Sequence, residues 1–273
     1  MKLKDWFKEN KQVFNDTDLR FLVKNAFSQK VSILEEDKSI TDQKEQYLEK
    51  VKRSYLEGVP LAYILGKEEF FGLEFKVSKD VLIPRRETEL IVEKALNIIL
   101  EHNLSCVLDL CCGCANIAVS IKKQGPKNLQ VYACDDSLKA LKIAAINTGF
   151  HRAEVTLAYS DLLSGFKKSF FDLIVTNPPY VEDKNIKGTL EYEPRSALAG
   201  GEDGLDYIKR ILKDAPTYLK NGGYLIAEIG YKHKNPVEKI ICNIGKYNII
   251  EWIKDYSGHW RGVVLKLRTR DEG

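Results

Sequence analysis

The 273-residue chain lacks the features that mark several special classes of protein. It has no apolar run near the roughly 18–20 residues of a membrane span. Its first residues lack the apolar core, about 7–15 residues long, of a secretory signal. Six cysteines are too few for a disulfide scaffold in a chain of this length. We therefore expect reduced thiols, no membrane partner and a cytoplasmic location.

A large excess of charge of either sign is also absent. The chain has 42 basic and 39 acidic residues, which gives a formal net charge of +3. No basic field large enough to attract a nucleic-acid backbone follows from this balance. With 44% hydrophobic residues, the chain fits one large globular domain or two smaller ones. We expect a monomer that does not bind nucleic acid directly.

Glycine and proline are missing from the first 57 residues. Apolar residues recur there at helical spacing, and residues 15–18 offer N-cap side chains for a helix that we expect to reach about Lys30. A second helix is expected from Thr41 to Glu57. Residues 1–60 are therefore predicted to form a small helical domain without catalytic groups.

Short β-like runs follow the helical region. They lie at residues 69–71, 74–77 and 81–83, and Gly72 separates the first two. Their aromatic and β-branched residues, with a glycine between the first two runs, are typical of short strands joined by turns. The pattern predicts a β-hairpin linker over residues 61–86.

The remaining residues, 87–273, alternate between helical and strand patterns. Helices are predicted at residues 88–102, 116–123, 137–148, 205–219 and 236–244. Strands are predicted at residues 106–110, 130–134, 155–158, 171–176, 223–229, 248–254 and 262–267. This alternation is typical of a parallel sheet with helices on both faces, and the two final strands predict an antiparallel edge hairpin. The predicted fold class is α/β, with a Rossmann-like, doubly wound, mostly parallel sheet.

The loop between the first strand and its helix has the sequence Asp109-Leu-Cys-Cys-Gly-Cys-Ala-Asn116. Ligands of open α/β sheets bind outside the carboxyl ends of the strands, and Gly113 would admit a ligand close to the backbone. The Gly-x-Gly-x-x-Gly of a dinucleotide site is missing. Asp109 would repel a pyrophosphate but suits the ammonium group of an amino-acid-like ligand, and Asp135 follows the next strand, where ribose hydroxyls bind. The loop favours S-adenosylmethionine over NAD.

Other interpretations of this loop stay open. Asp109 could cap the following helix, and Asp135 could be a solvated loop acid. Cys111 and Cys114 match the Cys-x-x-Cys spacing of a redox site. However, the preceding strand ends in Asp, and the second half of a metal site is missing from the sequence. We favour small buried thiols in a tight loop and expect no metal site.

A second motif, Asn177-Pro-Pro-Tyr180, directly follows the predicted strand at residues 171–176. Two prolines stiffen the backbone and remove two N–H donors, which leaves the Asn177 side-chain oxygen and the Pro178 carbonyl as acceptors beside an aromatic ring. These acceptors suit a planar NH₂ group whose lone pair then points toward an incoming methyl group. The alternative is a proline-rich strand exit without chemistry. We favour methyl transfer to nitrogen by in-line displacement.

A third motif, Ser160-Asp-Leu162, lies between the loop at residues 109–116 and Asn177-Pro-Pro-Tyr180. The order of these three motifs resembles that of class I S-adenosylmethionine-dependent methyltransferases that act on NH₂ groups. Further stretches resemble the release-factor glutamine methyltransferases, the PrmC or HemK family. They are Pro60-Leu-Ala-Tyr-Ile-Leu-Gly66, Leu82-Ile-Pro-Arg-Arg-Glu-Thr-Glu89, Glu193-Pro-Arg-Ser-Ala-Leu-Ala-Gly-Gly201 and Gly222-Gly-Tyr-Leu-Ile-Ala-Glu-Ile-Gly230. The resemblance covers roughly residues 58–265.

This resemblance implies methylation, with S-adenosylmethionine as donor, of the side-chain amide nitrogen (N5) of the glutamine in the Gly-Gly-Gln motif of class I peptide chain release factors. It implies cofactor contacts from Asp109, Cys111, Gly113, Asp135, Asp161, Leu162 and Asn177. It assigns the substrate site to Asn177, Pro178, Pro179 and Tyr180, with Asn177, Pro178 and Tyr180 as the catalytic residues. The helical domain would dock the release factor, the linker would lie over the mouth of the site, and residues 87–273 would form the methyltransferase domain.

The chain departs from the family loop, Asp-Leu-Gly-Thr-Gly-Ser-Gly, at Cys111 and Ala115, which replace glycines. If Ala115 needs a positive φ, the strain is on the order of 1 kcal/mol. Three alternatives stay open: a glutamine methyltransferase of a ribosomal protein, a DNA or RNA amino-methyltransferase acting on adenine N6 or cytosine N4, and a non-catalytic methyltransferase-like binding module.

Overall fold

The computed structural model describes residues 2–27 and 39–269. The chain divides into two compact units, Met1–Lys67 and Glu68–Gly273. In the described part, no helix combines the length and apolar character needed to cross a membrane. The three-part division at residues 60 and 86 stays a prediction.

The first unit is helical. Its helices are α1 (Leu3–Asn10), α2 (Asp16–Phe27), α3 (Asp42–Leu56) and α4 (Leu61–Leu65). The side chain of Asn15 accepts the Asp18 amide at 2.8 Å, and Thr41 caps α3 by accepting the Lys44 amide at 3.4 Å. Buried side chains such as Trp6, Phe14, Leu19, Leu22 and Leu48 form its core. The expected end of α2 near Lys30 lies outside the described residues.

One part of the predicted linker is not β structure, because residues 61–65 form α4. Pro60 supplies an extended N-cap residue, and Gly66 ends the helix with a left-handed φ of 68°. The hairpin itself follows as β1 (Lys67–Phe70) and β2 (Leu73–Lys76), with Gly72 at φ 73° in the turn. Gly72 therefore supplies the conformation that this turn requires.

The prediction of a strand at residues 81–83 is also wrong. Residues 81–83 belong to no strand of the sheets seen in the described part of the chain. Val81 and Ile83 are buried, but the Ile83 amide donates to the Glu193 carboxylate at 3.0 Å and not to a neighbouring strand. The apolar pattern of this segment therefore reflects its burial, although the segment does not pair with a strand.

The second unit contains an α/β sheet of seven strands within the described residues. The strands are β3 (Cys106–Leu110), β4 (Gln130–Asp135), β5 (Val155–Tyr159), β6 (Phe171–Thr176), β7 (Leu219–Glu228), β8 (Tyr247–Lys254) and β9 (Trp260–Leu267). Their order is β5-β4-β3-β6-β7-β9-β8. The first five are parallel, whereas β9 pairs antiparallel with β7 and β8 with β9. The predicted fold class and edge hairpin are confirmed.

Helices pack on both faces of this sheet. They are α5 (Arg86–Glu101), α6 (Asn116–Gln124), α7 (Leu138–Phe150), α9 (Asp206–Tyr218) and α10 (Lys234–Ile244), and a short helix, α8 (Arg195–Leu198), lies in the connection between β6 and α9. Two buried apolar clusters lie against the sheet, and all five residues of β3 are buried. Burial on both faces is the reason that the central strands read as continuous apolar runs.

The end of β3 is the point where the strand order reverses. Leu110 pairs with Cys134 of β4 on one side and with Thr176 of β6 on the other. The loops that follow these three strands therefore leave the sheet together. In open α/β sheets, such a switch point forms the crevice where ligands bind.

Candidate active site

A cleft lies at this switch point. Six of the predicted site residues line it: Cys111, Gly113, Asp135, Leu162, Asn177 and Pro179. Four others are not part of its wall: Asp109, Asp161, Pro178 and Tyr180. The walls also include residues that sequence analysis did not assign, among them Val81, Leu82, Arg85, Thr88, Asn116, Ser137 and Tyr207.

The loop after β3 is held in a strained conformation. Cys111, Gly113 and Ala115 have φ values of 62°, 52° and 62°. The Cys112 amide donates to the Cys134 carbonyl at 2.9 Å, which ties the loop to β4. A left-handed residue other than glycine costs roughly 1–2 kcal/mol, so Cys111 and Ala115 each carry strain. Ala115 therefore has the positive φ for which the sequence predicts strain.

Asp135 organises the floor of the cleft. One carboxylate oxygen accepts the Gly113 amide and the other accepts the Ser137 amide, both at 2.9 Å. Burial raises the pKa of Asp135, and these two hydrogen bonds oppose the shift. Asp135 thus positions the loop, and both Asp135 and Asp136 line the cleft.

Asp109 lies beneath the loop and is fully buried. Its Oδ2 accepts the Ala118 amide at 2.9 Å, so the side chain ties the end of β3 to the first turn of α6. Its Oδ1 has no hydrogen-bond partner within the described residues. Burial raises the pKa of Asp109 to about 8. The helix-capping interpretation of Asp109 accounts for the Ala118 bond.

The Ser160-Asp-Leu162 stretch divides between cleft and surface. Leu162 lines the cleft with φ 48°, and Ser160 donates to the Leu162 carbonyl at 2.7 Å. Asp161 is exposed and pairs with Arg210 at 2.8 Å. A contact between Asp161 and a cofactor stays a prediction.

The Asn177-Pro-Pro-Tyr180 motif leaves the sheet directly beside the cofactor loop. Asn177 and Pro179 line the cleft, and both prolines are buried. The Asn177 Nδ2 donates to Thr88 Oγ1 at 3.2 Å. The Tyr180 hydroxyl donates to Glu228 Oε1 at 2.9 Å.

Glu228, at the end of β7, is a residue that sequence analysis did not assign. It is buried, with 1% exposure, and accepts from Thr88 Oγ1 at 2.7 Å as well as from Tyr180. Burial raises its pKa to about 7, although these hydrogen bonds oppose the shift. A charged residue inside the apolar run of residues 224–229 was the signal that could have identified it.

One wall of the cleft comes from the segment before α5. The Ile83 amide donates to Glu193 Oε2 at 3.0 Å, and Arg85 forms an ion pair with the same carboxylate. Glu193 is buried, so the pair is shielded from solvent on that side. This anchor places Val81, Leu82 and Arg85 along the cleft.

The clustered thiols behave as small buried side chains. All six cysteines are free, and only Cys242 is exposed. Burial raises the pKa of Cys111 and Cys112 well above the ordinary value and that of Cys114 to about 12. Reactive thiols need a lowered pKa, so this arrangement does not favour redox chemistry. Among residues 2–27 and 39–269, no group of three metal-binding side chains is found.

Comparison with known proteins identifies the family. A model described as Methyltransferase small domain matches residues 88–193. A release factor glutamine methyltransferase of Thermodesulfovibrio yellowstonii is 34% identical, over 97% of this chain and 98% of the relative. One of Buchnera aphidicola is 35% identical, over 97% and 99%. The chain belongs to the release factor glutamine methyltransferase family.

A solved structure shares the fold of this family member. A methyltransferase from Pyrococcus furiosus superposes with a TM-score of 0.53 at 19% identity, over 84% of this chain and all of the other. As a release factor glutamine methyltransferase by family, the chain is an S-adenosylmethionine-dependent enzyme that acts on protein glutamine. The predicted enzyme class and cofactor are confirmed.

The residues present fit the cofactor of the release factor glutamine methyltransferases. No atom lies within 4 Å of a Cβ built on Gly113, so a ligand can approach the loop backbone. Asp135 and Asp136 offer carboxylate oxygens suited to hydroxyl groups, and Leu162 and Ile117 offer apolar surface for a flat ring. When bound, S-adenosylmethionine supplies an electrophilic methyl group on a positively charged sulfur.

Proposed function

We propose that this enzyme methylates the N5 side-chain amide nitrogen of the glutamine in the Gly-Gly-Gln motif of class I peptide chain release factors. The family supports this substrate, because the relatives named release factor glutamine methyltransferase align along nearly their whole length. That alignment includes the helical first unit. We therefore assign docking of the release factor to residues 1–60, and we propose a cytoplasmic monomer without direct nucleic-acid binding.

The orientation of Asn177 is the observation that carries the proposal. Its Nδ2 donates to Thr88 Oγ1 at 3.2 Å, and the residue lines the cleft beside Gly113 and Asp135. Because the NH₂ group of this amide already donates a hydrogen bond, the amide oxygen is the group that can accept one from a substrate. Asn177 Oδ1 is therefore available for one N–H bond of a substrate amide.

The other groups of the motif complete this arrangement in our proposal. The Pro178 carbonyl accepts the second N–H bond, and the two prolines keep both acceptors rigid. Tyr180 is held by Glu228 at 2.9 Å and fixes the end of the motif. Because an amide nitrogen is a weak nucleophile, positioning and polarisation of its N–H bonds must supply much of the rate. The N–C bond forms as the methyl group leaves the donor sulfur, which keeps the bonding electron pair and becomes neutral. The methylated nitrogen then releases one proton to solvent.

The cofactor residues follow from the same cleft. We assign binding to Gly113, Asp135 and Leu162, with Cys111 and Asn177 as further wall residues. Asp109 and Asp161 are outside the wall, so their assignment rests on family resemblance. Asp109 would act from beneath the loop, through the Ala118 amide that it holds at 2.9 Å.

Titration calorimetry with S-adenosylmethionine, followed by transfer of labelled methyl to a purified class I release factor, tests the proposal. We expect binding and label on the Gly-Gly-Gln glutamine, located by peptide mass spectrometry. Asn177→Ala should lower kcat by roughly 100- to 1,000-fold, as loss of a preorganised electrostatic partner does, and should largely preserve cofactor binding. Asn128→Ala, at an exposed position, is the matched control.

The outcomes separate the alternatives. Binding without label on the release factor would reject the substrate and direct the search to a ribosomal protein, DNA or RNA. Absence of cofactor binding would favour a non-catalytic binding module. Full activity of Asn177→Ala would reject the mechanism.

A further inference from the structure

Besides holding Tyr180, Glu228 has a contact with Thr88 that the mechanism above does not use. Its two carboxylate oxygens accept from two different elements, Thr88 in the first turn of α5 and Tyr180 in the loop after β6. Thr88 in turn accepts from Asn177. Asn177, Thr88 and Glu228 therefore form one chain of hydrogen bonds, which we call the amide-orienting chain.

The direction of this chain depends on one proton. A threonine hydroxyl has a single hydrogen, and here it is donated to Glu228 Oε2 at 2.7 Å. Thr88 Oγ1 can then only accept from Asn177, which must present Nδ2 to it. An ionised carboxylate only accepts, so the charge of Glu228 determines which end of the Asn177 amide faces the cleft.

We propose that ionised Glu228 is a positioning residue that acts through Thr88 and orients the Asn177 oxygen toward the substrate amide nitrogen. This inference rests on the proposed function for the identity of the substrate. When Glu228 is protonated, it donates to Thr88, and the Thr88 hydrogen is released to bond with Asn177 Oδ1. The Asn177 amide then turns its NH₂ toward the substrate NH₂, and two donors oppose each other.

The groups around Glu228 bring its ionisation into the pH range of ordinary assays. Burial raises the pKa of Glu228 to about 7, and Glu87 on α5 adds to the shift. The hydroxyls of Thr88 and Tyr180 and the positive charge of Arg261 on β9 lower it. Methyl transfer should therefore rise as pH increases through about 7.

Further charged groups face Tyr180, the second partner of Glu228. The charge of Glu228, followed by burial, raises the pKa of Tyr180 well above its ordinary value, whereas Arg261 and Arg85 lower it. The ring of His233 lies 6.5 Å from that of Tyr180, and burial lowers the pKa of His233. Tyr180 thus stays a donor over the pH range in which Glu228 titrates.

The test is single-turnover methyl transfer to the release factor between pH 5.5 and 9. In the wild type, the rate should fall about tenfold per pH unit below about 7, as expected for one essential ionised group. In Glu228→Gln, the side chain has an oxygen that accepts and an NH₂ group that donates, and it does not titrate. At pH 8 the rate of this variant should be roughly 10- to 100-fold below that of the wild type, and it should not depend on pH. Thr88→Val should also flatten the profile, and Thr88→Ser, which keeps the hydroxyl, should restore it. Glu101→Gln, at an exposed position on α5, is the control.

A second measurement does not depend on turnover. The side-chain ¹⁵N resonance of Asn177, assigned by its loss in Asn177→Asp, should shift with a midpoint near pH 7 in the wild type. This shift should vanish in Glu228→Gln and in Thr88→Val. Persistence of the shift in either variant, or of a wild-type pH profile in Glu228→Gln, would overturn the inference. If the wild type does not label the release factor at any pH, the proposed function fails, and the resonance still decides whether Glu228 orients Asn177.

Discussion

The substitution Asp109→Asn tests whether the carboxyl beneath the cofactor loop is protonated in the folded protein. Asp109 is fully buried, and burial raises its pKa from the ordinary 3.8 to about 8. Its Oδ2 accepts the Ala118 amide, and its Oδ1 has no partner within the described residues. Asparagine is nearly isosteric and keeps an oxygen for Ala118, but it does not titrate.

The sign and size of the effect follow from linkage. Between pH 3.8 and about 8 the folded protein retains a proton on Asp109 that the unfolded chain has lost. The free energy of unfolding therefore falls as pH rises, by up to ~1.4 kcal/mol per pH unit. This stabilisation is complete below the unfolded pKa and is lost as pH rises through the folded pKa. From pH 5.5 to 7.5, the wild type should lose about 2–3 kcal/mol from this group, and Asp109→Asn should not.

Urea unfolding at pH 5.5, 6.5 and 7.5 measures this difference. Tryptophan fluorescence in a Trp6→Phe background reports only the second unit, through Trp252 and Trp260. Asp214→Asn removes an exposed carboxylate on α9 and serves as the matched control. Other titrating groups cancel when the variant is compared with the wild type at each pH.

The expected result is a stability difference, variant minus wild type, that grows with pH. A difference that stays flat would refute the reasoning, because Asp109 would then have the same charge in the folded and unfolded states. An equal slope for Asp214→Asn would also refute it, since burial would not be the cause.

Two further predictions concern the packing around the cleft. Asn147 is buried, donates to the carbonyls of Lys76 and Cys114 at 3.0 and 2.9 Å and accepts the Lys76 amide at 2.7 Å. Asn147→Ala should lower the free energy of unfolding by roughly 3 kcal/mol, because the backbone groups of Lys76 and Cys114 lose their hydrogen-bond partners. An equal loss of stability in Asn128→Ala, at an exposed position, would contradict this prediction. In native protein, iodoacetamide should modify exposed Cys242 about 100 times faster than the loop thiols, measured by peptide mass spectrometry; equal rates would show that the loop thiols are accessible.

The central strands could be predicted because their burial is written into short stretches of sequence. Residues 106–110 and 171–176 form β3 and β6 with the bounds that the apolar runs indicate. Residues 61–65 and 81–83 could not be assigned this way. Short apolar segments fit a helix, a strand or buried coil equally well. At residues 81–83 the deciding contact is with Glu193, more than 100 positions away along the chain.

The candidate site was predictable to a similar extent. Proline, glycine and asparagine in fixed local order restrict the backbone, so Asn177-Pro-Pro-Tyr180 and the loop at Gly113 could be assigned to one crevice. Whether a carboxylate near that crevice is buried or exposed depends on packing against distant elements. Asp109 is fully buried, while Asp161 is exposed and paired with Arg210.

The sequence by itself determined the fold class, the loop at Gly113 and the family, because these depend on periodicity and on motifs of a few adjacent residues. Only the tertiary structure decided how Asn177 is oriented. Its partner Thr88 lies 89 positions away, and Glu228 lies 140 positions from Thr88. Hydrogen bonds over such separations exist only after α5, β6 and β7 have packed together, and no local pattern records them.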